Sequence, residues 1–183
     1  MNYACLSWNT PLRKNWPKVT VLNPEHLFEQ ADDLISAAGA RQANLKRAIS
    51  AAYYGLFHAT LAEAADLVIG VTKRSTVQYE LVYRSVDHAR LRDVCNQVIA
   101  PSPKYKPYAP PGGFGQDIKI FAATLVEMQD KRHTADYDPL FRAKKSDALI
   151  AVRQSRAALL NLENASPGER EAFLLLLLFR PRG

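Results

Sequence analysis

From Ala48 to Leu61 the chain reads Ala-Ile-Ser-Ala-Ala-Tyr-Tyr-Gly-Leu-Phe-His-Ala-Thr-Leu. Its polar groups there are confined to Ser50, His58, Thr60 and the hydroxyls of Tyr53 and Tyr54. A helix lying on a surface keeps one polar face, so a segment apolar on nearly all sides belongs in the middle of a bundle. The spacing predicts a helix over about 43–68, ended by Gly70.

The rest of the chain supplies the helices that would surround it. Asn23-Pro24-Glu25 is a helix start, with an Asn cap, proline at the first helical position and an acid in the first turn. That helix is expected to reach about Ala38 and stop at Gly39. A third helical region covers about 75–99, broken near Val86-Asp87, and a fourth about 117–132. Asp138-Pro139 is expected to open a fifth helix running to about Asn164, and Ser166-Pro167-Gly168-Glu169 forms a capping box for a last one through Phe179. No segment alternates as a strand would, and no internal repeat is found. The expectation is one all-α domain spanning residues 1–183.

Two segments fall outside this pattern. Residues 1–22 carry Trp8, Pro11, Trp16 and Pro17 without a helical period and read as an extended arm whose tryptophans pack on the body. Residues 101–115 hold five prolines and three glycines, which disfavour helix and strand alike. Within them Lys104-Tyr105-Lys106-Pro107-Tyr108 alternates cations with aromatics. Such a run grips a single nucleic-acid strand by stacking and charge, or it serves as a stiff connector between helices.

Composition excludes several classes of function. The formal charge of +6 is spread along the chain in pairs and singles, compatible with a polyanionic partner but common in ordinary proteins. Cys5 and Cys95 stand far apart with no CxxC or Cys/His cluster, so neither a metal site nor another cofactor is expected. Two free thiols fit a reducing compartment. Residues 1–8 lack the layout of a signal peptide. The longest apolar run, residues 173–179, covers seven residues against the roughly 20 of a membrane span. A cytoplasmic protein with no membrane association is the expectation. The same run is apolar on every face, so it is either buried in its own core or shared with a second copy.

The chemistry concentrates around Arg132. Met128, Leu125 and Phe121 precede it by 4, 7 and 11 residues, so the arginine ends an apolar helical stripe where a bare cation is costly. Two readings remain open: an intramolecular bridge to Asp136 that ends the helix, or an arginine aimed into a cleft for a phosphate. On the central helix, with Arg47 as the zero of a wheel turning about 100° per residue, Tyr54 falls near −20° and His58 near +20°. Arg47, Tyr54 and His58 thus form one polar stripe. It is either a satisfied buried network or one wall of an anion-binding cleft facing Arg132 and Asp136.

Two motifs stand out: YYxxFH within Arg47-Ala-Ile-Ser-Ala-Ala-Tyr-Tyr-Gly-Leu-Phe-His58, and RxxADYD in Arg132-His-Thr-Ala135-Asp136-Tyr137-Asp138. Together they resemble the HEPN superfamily, and most of all its small bacterial members, over about residues 24–164. The resemblance implies an up-down helical bundle, here with additional N- and C-terminal elements. It implies a homodimer with the motif arginines of both chains facing one cleft. Active members are metal-independent endoribonucleases with an Arg-x(4–6)-His motif: the ribose 2′-hydroxyl attacks the adjacent phosphate, the arginine stabilises the developing charge and the histidine moves protons. Many belong to toxin–antitoxin pairs or to defence systems, and some pair with a small nucleotidyltransferase. A cognate antitoxin or nucleotidyltransferase is therefore an expected partner.

This chain departs from that motif by carrying Tyr137 where the histidine would stand, and tyrosine is a poor base at neutral pH. His133 would substitute only if the helix bent beside Arg132, and His58 would do so across the bundle. The leading expectation is an RNA- or nucleotide-binding module whose cleft is lined by Arg47, His58, Arg132 and Tyr137, with Tyr54, Asp136, Lys104, Tyr105 and Lys106 as further contacts. The alternatives are a ribonuclease using Arg132 with His133, His58 or Tyr137, and a purely structural or protein-interaction bundle.

Overall fold

The computed structural model describes residues 22–37 and 41–181. The expected arm therefore lies, apart from Leu22, outside the described residues, as does the expected stop at Gly39. Among the described residues the secondary structure is entirely helical: α1 (Pro24–Ser36), α2 (Gln42–Ile69), α3 (Val77–Tyr83), α4 (His88–Ile99), α5 (Gln116–Tyr137), α6 (Lys145–Asn164) and α7 (Pro167–Leu178). Short 3-10 turns occupy Val71–Lys73 and Lys106–Tyr108.

The central position of α2 follows from its composition. Ala48, Ala52, Tyr53, Leu56, Leu61 and Ala65 are all buried, and α1, α3, α5, α6 and α7 all pack against it. Gly55 permits the approach of α1, because a Cβ there would lie 2.8 Å from the ring of Phe28. Gly70 ends the helix at φ +97°, a conformation L side chains rarely adopt. One apolar cluster draws on α1, α2 and α4 to α7.

Caps set the other boundaries. The Asn23 side chain accepts from the Glu25 amide at 3.1 Å and starts α1. Asp87 accepts from the Arg90 amide at 2.7 Å, separating α4 from α3 where the break was expected. Ser166 and Glu169 cap each other's backbone at the start of α7. The apolar run of α7 mostly faces its own core: Phe173, Leu174, Leu176 and Leu177 are buried, and Phe173 meets Phe121 edge to face at 5.4 Å. Leu175 and Phe179 remain exposed. None of these helices is long and apolar enough to cross a membrane.

Two boundaries differ from expectation. α5 does not stop at Arg132 but continues to Tyr137, with Ala135 buried on its inner face. Asp138-Pro139 does not open α6. Asp138 is extended (ψ 109°), as a residue before proline tends to be, and its side chain accepts from the Leu140 amide at 2.8 Å. α6 begins only at Lys145.

Candidate functional site

The site forms where the middle of α2 meets the end of α5 and the start of α4. Tyr53, Tyr54, Phe57 and His58 occupy little more than one turn of α2, so their rings make a continuous aromatic wall. Arg132 comes to this wall from α5. Its Nη2 donates to the Tyr54 hydroxyl at 2.7 Å, and its guanidinium lies 5.7 Å from the Tyr53 ring centroid, 5.3 Å from Tyr54 and 5.9 Å from Tyr137. Asp136, one turn further along α5, places Oδ2 at 3.2 Å from Nε. That is ion-pair distance without hydrogen-bond alignment, since the buried Nε has no aligned acceptor. Asp136 is fixed from the other side by the Ser50 hydroxyl, which donates to Oδ1.

The Arg132 side chain is only 16% exposed. Burial works against its charge, but the Tyr54 hydroxyl, Asp136 and Tyr137 outweigh it and hold the cation firmly. Its Nη1 has no partner among the described residues and is not sealed from solvent. Tyr137 stands over the guanidinium and is 65% exposed, so a flat apolar surface lies open beside it.

Two histidines complete the cluster. His58 Nδ1 shares a 2.7 Å hydrogen bond with the Tyr83 hydroxyl, and the two rings are nearly parallel. His88, the first residue of α4, makes the same bond to the Tyr53 hydroxyl at 2.7 Å and packs on Phe57 with ring centroids 4.0 Å apart. Burial lowers the pKa of both. His88 further lowers that of His58, and the Arg132 charge further lowers that of His88. Burial pushes the Tyr83 hydroxyl up to about 12, and that of Tyr53 higher still, so both phenols stay protonated. Nε2 of each imidazole has no hydrogen-bond partner among the described residues and is not fully enclosed.

The expected residues separate into two groups. Arg132, Asp136, Tyr137, Tyr54 and His58 are brought together. Arg47 is exposed and makes no hydrogen bond or ion pair among the described residues, so the stripe on α2 contributes only its second and third members. His133 is exposed on α5 with its ring 4.9 Å from Tyr137. The helix runs on without the bend that would have turned it toward Arg132. Lys104 and Lys106 are exposed, but Tyr105 is not a stacking platform. It is buried, donates to Asp93 at 2.8 Å and accepts from Arg90 at 2.9 Å, at the wall of a separate cavity of about 390 Å³. The sequence reading missed His88. Its one local signal was a histidine directly after the capping Asp87.

No group of side chains that could hold a metal ion occurs among the described residues. In comparisons with known proteins the chain matches no family model, no curated protein and no solved structure.

Proposed function

We propose that this chain is a HEPN-type RNA- or nucleotide-binding protein that takes a phosphate on Arg132. The observation that carries the reading is the free Nη1 edge of a half-buried, permanently charged guanidinium beneath the exposed ring of Tyr137. Planar guanidinium donors suit phosphate oxygens, and an open aromatic beside them suits an unpaired base. Single-stranded RNA offers both groups at adjacent positions, whereas a duplex hides its base faces. Anisotropy titration of a labelled single-stranded oligoribonucleotide tests the reading. Arg132→Ala should weaken binding by about 10- to 100-fold, the scale of a charge-assisted hydrogen bond. Unchanged binding with the helical content intact would refute it.

A second reading is favoured by the two imidazoles beside Arg132: a metal-independent endoribonuclease with Arg132 on the scissile phosphate. Cleavage in EDTA that disappears in identically prepared Arg132→Ala protein would establish it. No cleavage by either protein would leave binding alone.

A further inference from the structure

The charges of the site balance before any ligand arrives. Arg132 contributes one positive charge and Asp136 one negative charge at 3.2 Å. Arg47, exposed on α2 two turns before Tyr54, makes no hydrogen bond or ion pair among the described residues, but the other charged groups flanking the pair are engaged. Arg92 on α4 is paired with Asp130 on α5 at 2.6 Å, and Asp87 caps the Arg90 amide. Lys46 on α2 donates to the Asp138 carbonyl at 2.8 Å, at the Asp136 end of the site and two turns or more from His58. A phosphate entering beside Arg132 meets a donor edge whose charge Asp136 already offsets, and burying an uncompensated anion is costly.

His58 and His88 are placed to supply the missing charge. With Arg132 they surround a single ring, that of Tyr54: the guanidinium carbon is 5.3 Å from its centroid, the His88 ring 5.9 Å and the His58 ring 6.2 Å. Each imidazole is anchored through Nδ1 to a tyrosine hydroxyl and keeps Nε2 without a hydrogen-bond partner among the described residues. A hydroxyl donates to a bare Nδ1 and accepts from a protonated one, so the anchor survives a change of charge state. The groups facing His88 are Tyr53, Tyr54 and Phe57 from α2, Arg132 from α5 and its neighbour Asp87. Those facing His58 are Tyr54 and Phe57 from α2, Tyr83 from α3 and His88 from α4. None of these is a carboxylate except Asp87, whose Oδ1 is held by the backbone.

We infer that His58 and His88 form a proton-linked second half of the anion site, becoming cationic donors when a phosphate binds at Arg132. The inference rests on the Arg132 reading above. Without ligand, burial holds both pKa values down, helped by His88 at His58 and by Arg132 at His88, so both rings are neutral at neutral pH. A bound phosphate reverses the local field and favours the imidazolium. Binding then takes up protons, and affinity rises as pH falls, by about tenfold per pH unit for each proton taken up.

The test uses the full chain and a short single-stranded oligoadenylate, titrated by calorimetry at pH 7.5 and 5.5 in buffers of different ionisation enthalpy. Proton uptake and tighter binding at the lower pH are expected, and His58→Gln/His88→Gln should flatten that dependence. His26→Gln, at an exposed position on α1 away from the cluster, should keep it. Because the double variant perturbs a packed wall, histidine ring-proton NMR of the unmodified chain provides an independent arm: the pKa values of two imidazoles should rise on adding the oligonucleotide. Binding that requires Arg132 yet has equal affinity at both pH values, with no rise in those pKa values, overturns the proton-linked subsite and leaves the Arg132 reading standing. No binding, or binding indifferent to Arg132→Ala, overturns both.

Discussion

Arg132 Nη2 donates to the Tyr54 hydroxyl at 2.7 Å, tying the last turns of α5 to the centre of α2. This bond fixes the guanidinium against the aromatic wall, while Asp136 restrains its Nε side and Nη1 stays open. An arginine so held has little side-chain freedom left to lose when it meets an anion.

Asp136 competes with any phosphate for Arg132. Asp136→Asn should therefore strengthen oligonucleotide binding at pH 7.5 by about tenfold, roughly 1.4 kcal/mol. The folded chain should lose about 1 kcal/mol, because the carboxylate is partly exposed and the pair partly screened. Parallel anisotropy and urea titrations would show opposite signs for binding and stability. Equal or weaker binding would mean that Asp136 orients Arg132 more than it competes with the ligand.

Acid should destabilise the fold through the same histidines. Both have pKa values lowered in the folded state, so below about 6.5 the unfolded chain binds more protons. The stability they contribute is complete above that pH and is lost as pH falls through the folded-state values. Urea midpoints should drop between pH 7.5 and 5.5, and His58→Gln/His88→Gln should make the drop shallower. The same slope in the variant would assign the acid sensitivity to other groups.

Tyr105→Phe tests the structural role of the 101–115 loop. The hydroxyl bridges Arg90 and Asp93, and Arg90 also donates to the Leu177 and Phe179 carbonyls at the end of α7. Losing it should cost about 1–2 kcal/mol in a thermal or urea melt. Oligonucleotide affinity should not change, because the ring is buried against the bundle.

Gly55→Ala should be destabilising although alanine is the better helix former. The added Cβ would fall 2.8 Å from Phe28, whose ring is fully buried and has nowhere to go. Overpacking of this kind costs about 1–3 kcal/mol, read as a lower urea midpoint.

Much of this architecture is written locally. The all-round apolar character of residues 48–61 puts α2 at the centre whatever the other helices do, since no arrangement can leave it on a surface. The Asn23, Asp87 and Ser166 caps follow from side chains reaching amides two or three residues on. The pairing of Arg132 with Asp136 is an i, i+4 contact along one helix. Tertiary packing decided the rest. Asp138-Pro139 is compatible with either a helix start or a helix end, and burial of Ala135 carried α5 to Tyr137 and made it an end. Tyr105 reads as a stacking aromatic until Arg90 and Asp93 draw it inward. His88 lies 30 residues from His58 and 44 from Arg132. No periodicity links positions so far apart, and only the packing of α5 on α2 and of α4 on α5 brings these side chains round one tyrosine ring.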